Sequence, residues 1–184
     1  MDASKIRRNS SMELKEVYFW TSTVKDWKNL FVQDKYKQLI IDQWRSLTQK
    51  ELIIVYGFVI MPNHLHVIWE LCKRNGKEMP HASFNKATAH LIVKDLKVNH
   101  PAVIPYFKVN EHERSFRIWQ RDPLAVLMDN KSKVEQKLTY IHQNPLQERW
   151  NLATDPIEYP WSSAAFYENE PTDFDFLVRY EERF

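Results

Sequence analysis

The longest apolar stretch of this chain lies near its middle and is divided in two by a turn. Residues 52–61 read LIIVYGFVIM and residues 64–71 read HLHVIWEL, with Pro62 and Asn63 between them. The first segment is too short to cross a membrane, and its apolar residues do not alternate with polar ones, which is typical of a strand covered on both faces. We therefore expect a central strand at 52–61, paired antiparallel with a strand at 64–71, and the rest of the chain must fold around this pair.

The segments on either side of this pair alternate between strand and helix periodicity. Ser83 has the character of a helix N-cap, and Ser132 with Glu135 has the spacing of a capping box. Pro145 disfavours helical geometry in the residue before it, so the last long helix should end near Asn144. In chain order we predict a strand over 14–24, helices over 30–47 and 83–98, strands over 116–120 and 123–128, a helix from Asn130 or Ser132 to Asn144, and a short helix near 163–167. This order predicts an α+β fold with an antiparallel sheet and helices largely on one face.

Composition excludes several kinds of function. The 184 residues include two glycines, so no glycine-rich loop can cradle a nucleotide phosphate, and no nucleotide cofactor is expected. Cys72 is the single cysteine, which excludes a disulfide framework and a thiolate zinc cluster. No apolar run suits a signal peptide or a membrane span, so we expect a cytoplasmic protein with no membrane partner.

Charge divides the chain unevenly. The net charge is +2, but residues 154–184 hold eight acidic against two basic side chains, which leaves +8 on the remainder. A basic body permits a polyanionic partner without requiring one. We divide the chain into a flexible basic arm over 1–12, a main domain over 13–153 and an acidic C-terminal extension over 154–184.

Two places in the sequence hold residues that can do chemistry. His64 and His66 stand two apart on a predicted strand, so their imidazoles share one face and could form half of a metal site, or could equally be ordinary hydrogen-bonded histidines. Tyr140 and Asn144 stand four apart, so they share one face of the last helical turn. The amide oxygen of Asn144 could complete a divalent site. Tyrosines in helices are mostly packing residues, so Tyr140 by itself does not indicate a function.

Taken together, these two segments match a known family. GFVIMPNHLHVIW at 57–69 resembles the signature strand pair of HUH nucleases, and YIHQNP at 140–145 resembles the nucleophile helix of single-tyrosine HUH transposases. Over residues 17–167 the chain resembles the REP-associated tyrosine transposases, relatives of the insertion-sequence-200-like transposases. Three further segments carry the resemblance: FNKATAHLIVKDL at 84–96, RIWQRD at 117–122 and DPIEYPWSSAAFY at 155–167.

The resemblance implies a fold, a site and an activity. The fold would be the ferredoxin-like (RRM-like) HUH fold, with the histidine pair on a central strand opposite the tyrosine helix. His64, His66 and Asn144 would hold Mg²⁺ or Mn²⁺, and Tyr140 would attack single-stranded, hairpin-bearing DNA to form a 5′-phosphotyrosine. The protein would be a monomer or a homodimer, bacterial and cytoplasmic, and associated with the nucleoid when bound to DNA.

A single DNA strand would be held by cations that follow its backbone and by rings that stack on its bases. Arg117 and Arg121 are the strongest candidates because they flank the Trp-Gln pair of the matching segment at 117–122. The other candidates are Arg114 and Trp119 in the same region, Lys86, Lys94 and Lys97 on the second helix, and Arg7 and Arg8 on the arm.

Two other functions remain open at this point. One is a zinc hydrolase that uses His64, His66 and one of His90, His112 or His142. The other is a non-catalytic, domesticated nucleic-acid-binding relative that would bind hairpins in EDTA and never cleave them.

Overall fold

The structure is a computed structural model that describes residues 12–111, 114–121 and 123–184, except for the side chain of Arg114. It contains six strands and four α-helices within those ranges, joined by short 3₁₀ turns. The elements are β1 (Val17–Thr23), α1 (Asp34–Gln49), β2 (Ile53–Ile60), β3 (His64–Leu71), α2 (Pro80–Asn99), β4 (Lys108–Glu111), β5 (Arg114–Phe116), β6 (Leu124–Leu127), α3 (Lys131–Gln143) and α4 (Ala164–Tyr167).

Four of the strands form one antiparallel sheet in the order β2-β3-β1-β6. With α1 after β1 and α2 after β3, this is the βαββαβ arrangement of a ferredoxin-like fold, so the predicted fold class is confirmed. A small hairpin of β4 and β5 is inserted between α2 and β6.

The two faces of the sheet are covered by different helices. Trp20 and Trp69, on one face, pack with Trp44 of α1 and Phe84 of α2 in the larger hydrophobic cluster. On the other face Ile68 belongs to a smaller cluster that includes three side chains of α3, namely Val134, Leu138 and Ile141. Two of the three long helices thus share one face, and α3 covers the other.

The prediction that 52–61 forms a central strand is wrong, because β2 lies at the edge of the sheet. Its outer side is covered by the C-terminal part of the chain. Ser163 N donates to Phe58 O at 3.0 Å, and Val178 N donates to Val55 O at 3.0 Å. An edge strand leaves unpaired backbone groups, so these contacts explain how an edge strand can be as apolar as a central one. Residues 161–178 thereby become part of the packing around the sheet.

Several local predictions also need correction. Ser83 lies inside α2, which begins three residues earlier at Pro80, where the missing N–H of proline is harmless. The Ser132–Glu135 capping box does not form, because the side chain of Asn130 accepts from Lys133 N at 3.0 Å and caps α3 instead. The strand predicted at 116–120 is reduced to a bridge between Trp119 and Val24, while β5 pairs with β4.

In the part of the chain that the structure describes, no helix is long and apolar enough to cross a membrane.

Candidate active site

The two histidines lie side by side on β3, and their imidazoles face α3. His64 and His66 pair with Thr23 and Thr21 of β1, and their ring centroids are 4.8 Å apart. The ring of His66 stacks on Phe19 of the α3-side cluster at 5.1 Å. Leu65 and Val67 point into the opposite cluster, as the alternation of a strand requires.

One hydrogen bond determines which nitrogen of His64 carries the proton. Asn63 Nδ2 donates to Trp27 O at 3.2 Å, so the other end of this amide, Oδ1, faces His64 Nδ1 at 2.7 Å. An amide oxygen can only accept, so Nδ1 holds the proton and the lone pair is on Nε2. His66 Nδ1 lies 2.7 Å from Thr21 Oγ1, which leaves its Nε2 as the free nitrogen as well. Hydrogen bonds of this kind orient metal-ligating imidazoles.

Both imidazoles are buried, and burial keeps them neutral. Burial, followed by the charge of Arg149, lowers the pKa of His64 to about 4. Burial lowers the pKa of His66 well below its usual range, with further lowering by His64, Lys137 and Arg149. Neutral imidazole is the form that binds metal, so neither ring needs to lose a proton at neutral pH.

Tyr140 lies near the C-terminal end of α3, beside the histidine pair. Its ring centroid is 5.5 Å from that of His66 and 6.1 Å from that of Phe19. The side chain is 41% exposed, whereas five of the other seven tyrosines are buried. The structure thus brings the predicted nucleophile and the histidine pair together, with the side chain of Tyr140 accessible from solvent.

Lys137 is a site residue that the sequence reasoning missed. Its Nζ lies 4.8 Å from the ring centroid of Phe19 and 5.4 Å from that of Tyr140. No carboxylate pairs with it among the described residues. The sequence could have indicated Lys137, because it precedes Tyr140 by three residues and residues three apart on a helix share a face.

The turn after α3 returns the chain to the histidines. Pro145 ends the helix, and Leu152 N donates to Pro145 O at 2.9 Å. The ring of Trp150 then lies 5.8 Å from that of His64, and Arg149 Cζ lies 5.4 Å from the centroid of Trp150. Sequence reasoning missed both residues, and no local pattern could have shown where this turn leads.

Asn144 caps α3 and is completely buried. Its Oδ1 accepts from Gln147 Nε2 at 2.9 Å, while its Nδ2 has no partner among the described residues. His66 Nε2 is likewise buried, with no partner in the part of the chain that the structure describes. Buried polar groups usually find partners, so each of these two atoms is informative.

These residues fit a divalent ion. The two ends of a carboxamide have nearly the same shape, so turning the amides of Asn144 and Gln147 together keeps their mutual bond and leaves the Asn144 oxygen without a partner. Two imidazole nitrogens and one amide oxygen then form a neutral set of three donors, which leaves positions open for substrate oxygens. The donor types of His64, His66 and Asn144 thus suit Mg²⁺ or Mn²⁺, and their role as metal ligands stays a prediction.

A third imidazole does not join the pair. His142 Nε2 lies 2.9 Å from Ser163 Oγ, and burial lowers the pKa of His142 to about 4. His90 is exposed on α2, beyond the sheet from the histidine pair. His112 lies outside the described residues. Within the described ranges no group of three His, Cys, Asp or Glu side chains could hold a metal, so nothing in them supports the zinc hydrolase.

The predicted DNA-binding residues are spread over the molecule. The prediction that Trp119 binds DNA is wrong. Its side chain is 6% exposed and its Nε1 donates to Thr88 Oγ1 at 2.9 Å, so its ring packs in the core and cannot stack on a base. Lys86, Lys94 and Lys97 are exposed on α2, across the sheet from Tyr140. Lys86 pairs with Glu78 at 2.7 Å, and Lys97 Nζ lies 4.8 Å from the Phe116 ring centroid.

Arg117 and Arg121 both pair with Glu111, Arg121 at 3.1 Å. The segment that carries these two arginines lies beside the residues that come after β1, where Lys25 N donates to Ile118 O at 2.7 Å. Arg114 begins β5. Arg7 and Arg8 lie outside the described residues.

Comparison with known proteins finds similarity at the level of the fold. No family model and no curated protein matches the sequence. Among solved structures the chain is similar to a REP-associated tyrosine transposase bound to a REP hairpin. The match has a TM-score of 0.62 and 15% sequence identity, and it covers 97% of this chain and 98% of the other. Nearly the whole chain, including the C-terminal segment that covers β2, therefore has the fold of a REP-associated tyrosine transposase.

Proposed function

We propose that this protein is a DNA strand transferase that cleaves single-stranded, hairpin-bearing DNA and becomes linked to the 5′ phosphate through Tyr140. The observation that carries the proposal is the position of an accessible phenol 5.5 Å, ring to ring, from one of two buried, neutral imidazoles. The structural neighbour is a tyrosine transposase bound to a hairpin, which supports the same class of partner for this chain.

The proposed metal site would act on the phosphate. When bound, Mg²⁺ or Mn²⁺ supplies Lewis-acid polarisation of a phosphoryl oxygen. His64, His66 and Asn144 would bring no negative charge to it, so the site would favour an anionic substrate. Thr21 and Asn63 orient the two rings through the hydrogen bonds to Nδ1.

Lys137 and Arg149 would bind phosphate oxygens on either side of the histidine pair. Lys137 lies against Tyr140, and Arg149 lies against Trp150, which itself packs on His64. Both charges act on the buried ring of His66. The two cations repel one another, and the neutral ligands do not offset this repulsion. An anion between them would offset it, and a nucleic-acid backbone supplies one negative charge per phosphate.

The chemistry balances without a nucleotide cofactor. The Tyr140 phenol gives up its proton as its oxygen forms a bond to the 5′ phosphorus, and the bond from that phosphorus to the 3′ oxygen breaks. The 3′ oxygen takes up a proton and leaves as a free hydroxyl. Transfer is the reverse step with a different 3′-hydroxyl, which restores the phenol. Each step exchanges one phosphate ester for another, so the bond energy stays in the covalent link.

The test is covalent capture. The protein is incubated with Mg²⁺ or Mn²⁺ and a pool of hairpin oligonucleotides with randomised single-stranded flanks, and linked species are separated under denaturing conditions. We expect an adduct that maps to the Tyr140 peptide and that Tyr140→Phe abolishes. Tyr18→Phe is the matched control, because Tyr18 lies on the other face of the sheet, where its hydroxyl accepts from Glu13 N.

Two results would contradict this assignment. An adduct that persists in Tyr140→Phe would remove Tyr140 as the nucleophile. Hairpin binding without any adduct in the wild type would favour the non-catalytic binding module.

A further inference from the structure

An exposed tryptophan lies beside the candidate site and takes no part in the chemistry described above. Trp27 is 59% exposed and is the most exposed tryptophan of the chain, while four of the other six are buried. Its ring centroid is 6.3 Å from that of His64. A ring of this size next to a catalytic centre, with most of its surface in water, is available to a ligand.

The backbone that presents this ring is strained. Asp26 and Trp27 have φ of 56° and 55°, in the left-handed region that residues with a Cβ rarely adopt. Two such residues in succession persist only where the surroundings hold them. Here Trp27 N donates to Val24 O at 3.0 Å, and Asn63 Nδ2 donates to Trp27 O at 3.2 Å.

The hydrogen bond from Asn63 joins this loop to the active-site histidine. The same amide accepts from His64 Nδ1, so one side chain holds both the loop and the imidazole. The position of the Trp27 backbone is therefore coupled to the orientation of His64. Such a link is expected where the ligand of the loop is also the substrate of the site.

A second exposed ring and several cations lie near the loop that carries Trp27. Tyr106 is 63% exposed, and Lys28 Nζ lies 5.4 Å from its ring centroid. Lys25 Nζ lies 3.5 Å from Tyr106 O and 2.5 Å from Asp26 Oδ2. The charge of Arg117 also acts on the Asp26 carboxyl. We call Trp27, Tyr106, Lys25 and Lys28 the aromatic patch.

We propose that the aromatic patch binds unpaired bases of the DNA strand next to the cleavage site, with Trp27 as the main stacking surface. The inference rests on the proposed function in taking nucleic acid as the partner and the histidine pair as the cleavage site, whereas the binding itself requires no cleavage. Exposed rings interleaved with lysines are the combination that binds single strands, because every base has a flat face and every nucleotide a negative charge. Paired bases hide these faces, so duplex DNA should not use the patch in the same way.

The experiment measures binding in EDTA, so it does not depend on cleavage. The probes are a fluorescein-labelled dT dodecamer and the same strand annealed to a dA dodecamer, followed by anisotropy. Trp27→Asn removes the ring and keeps a residue that tolerates the left-handed conformation. Trp27→Phe keeps a ring, and Val98→Asn, which changes a 73% exposed side chain on α2, is the matched control.

We expect wild-type protein to bind the single strand and Trp27→Asn to bind it about 5- to 150-fold more weakly, the range for one lost stacking contact. Trp27→Phe should retain most of the affinity and Val98→Asn all of it. Lys28→Gln should reduce the slope of log affinity against log salt by about 0.7, the value for one phosphate contact on a single strand. Binding of the single strand should also quench tryptophan emission in the wild type and not in Trp27→Phe.

The proposal is overturned if the wild type does not bind the dT dodecamer, if Trp27→Asn binds it as the wild type does, or if Trp27→Asn loses affinity for the duplex to the same extent. A missing covalent adduct would count against the proposed function and would leave these binding results unaffected. Thermal unfolding of each variant shows whether a loss of binding reflects a loss of fold.

Discussion

Replacing Gly57 with alanine tests the contact that sets the distance between α3 and the sheet. Gly57 lies in β2, where the pairing with β3 shifts register, and it faces α3. A Cβ at this position would lie 2.4 Å from Leu138 Cδ2, 3.2 Å from Ser163 Oγ and 3.6 Å from Ile141 Cδ1. Glycine is needed here for close approach.

The size of the effect follows from these distances. Carbon atoms pack best at about 3.5–4.0 Å, so the contact at 2.4 Å with Leu138 is about 1.1–1.6 Å too short. Leu138 is 6% exposed, so it has little room to move aside, and either its side chain or α3 must shift. Overpacking of this kind costs about 1–3 kcal/mol of unfolding free energy. Tyr140 is two residues further along the same helix, and a 1 Å misplacement of a reacting group costs about 100-fold in rate.

The assay is urea unfolding of Gly57→Ala, Leu138→Ala and the double variant, with the rate of adduct formation measured in parallel. Leu138→Ala alone should cost about 2–5 kcal/mol, because it leaves a cavity. In the double variant the new Cβ enters the space that Leu138 vacates. The double variant should therefore be no less stable than Leu138→Ala, which corresponds to a coupling of about 1–3 kcal/mol.

The other glycine of the chain provides the control. Gly76 has φ of 62°, and a Cβ at this position would have no atoms within 4 Å, so Gly76→Ala should be destabilised through its backbone alone and should not couple to Leu138→Ala. If the effects of Gly57→Ala and Leu138→Ala add within about 0.5 kcal/mol, the close approach of α3 is not what requires glycine at this position. A fully stable, fully active Gly57→Ala would refute the reasoning outright.

Two other predictions concern charge and pH. Lys137→Gln should slow adduct formation about 100-fold or more, since removing one preorganised donor from a developing phosphate charge typically costs that much. Lys133 is an exposed lysine on the same helix that pairs with Asp129, and it provides the control. Lys133→Gln should form the adduct at the wild-type rate in the same gel assay. Equal rates in both variants would remove Lys137 from the site. Burial lowers the pKa of His142 to about 4 in the folded protein, whereas the unfolded chain has the ordinary value of about 6.5. Between these two values the unfolded chain binds more protons than the folded protein. The free energy of unfolding therefore falls as the pH drops from about 6.5 to about 4. His142→Gln should remove about 3 kcal/mol of that fall, measured by urea unfolding across the range, and an unchanged slope would show that His142 is not the neutral, buried group we describe.

Local periodicity is enough to predict the main elements and the central pair of residues. Strand alternation puts His64 and His66 on one face and Leu65 and Val67 on the other, and the structure agrees. Helical spacing places Tyr140 near the end of a helix that stops at Asn144, which is also confirmed. These predictions succeed because they depend on backbone geometry within one element.

Predictions that depend on partners distant in sequence are less successful. The apolar character of 52–61 favours a central strand, but β2 is an edge strand covered by residues more than 100 positions later. The sequence makes Trp119 a candidate for a DNA surface, yet it is buried against α2. In both cases the sequence shows that a residue is apolar and does not show which surface covers it.

The amino-acid sequence by itself determined the alternation of elements, the shared face of the histidines and the helix that carries Tyr140. Only the tertiary structure decided that the charges of Lys137 and Arg149 act on His66, and that Trp27 stands exposed on a strained loop held by Asn63. The physical reason is the range of the interactions. Backbone periodicity acts over a few residues, whereas the site is assembled by packing and hydrogen bonds between segments that are far apart in the chain.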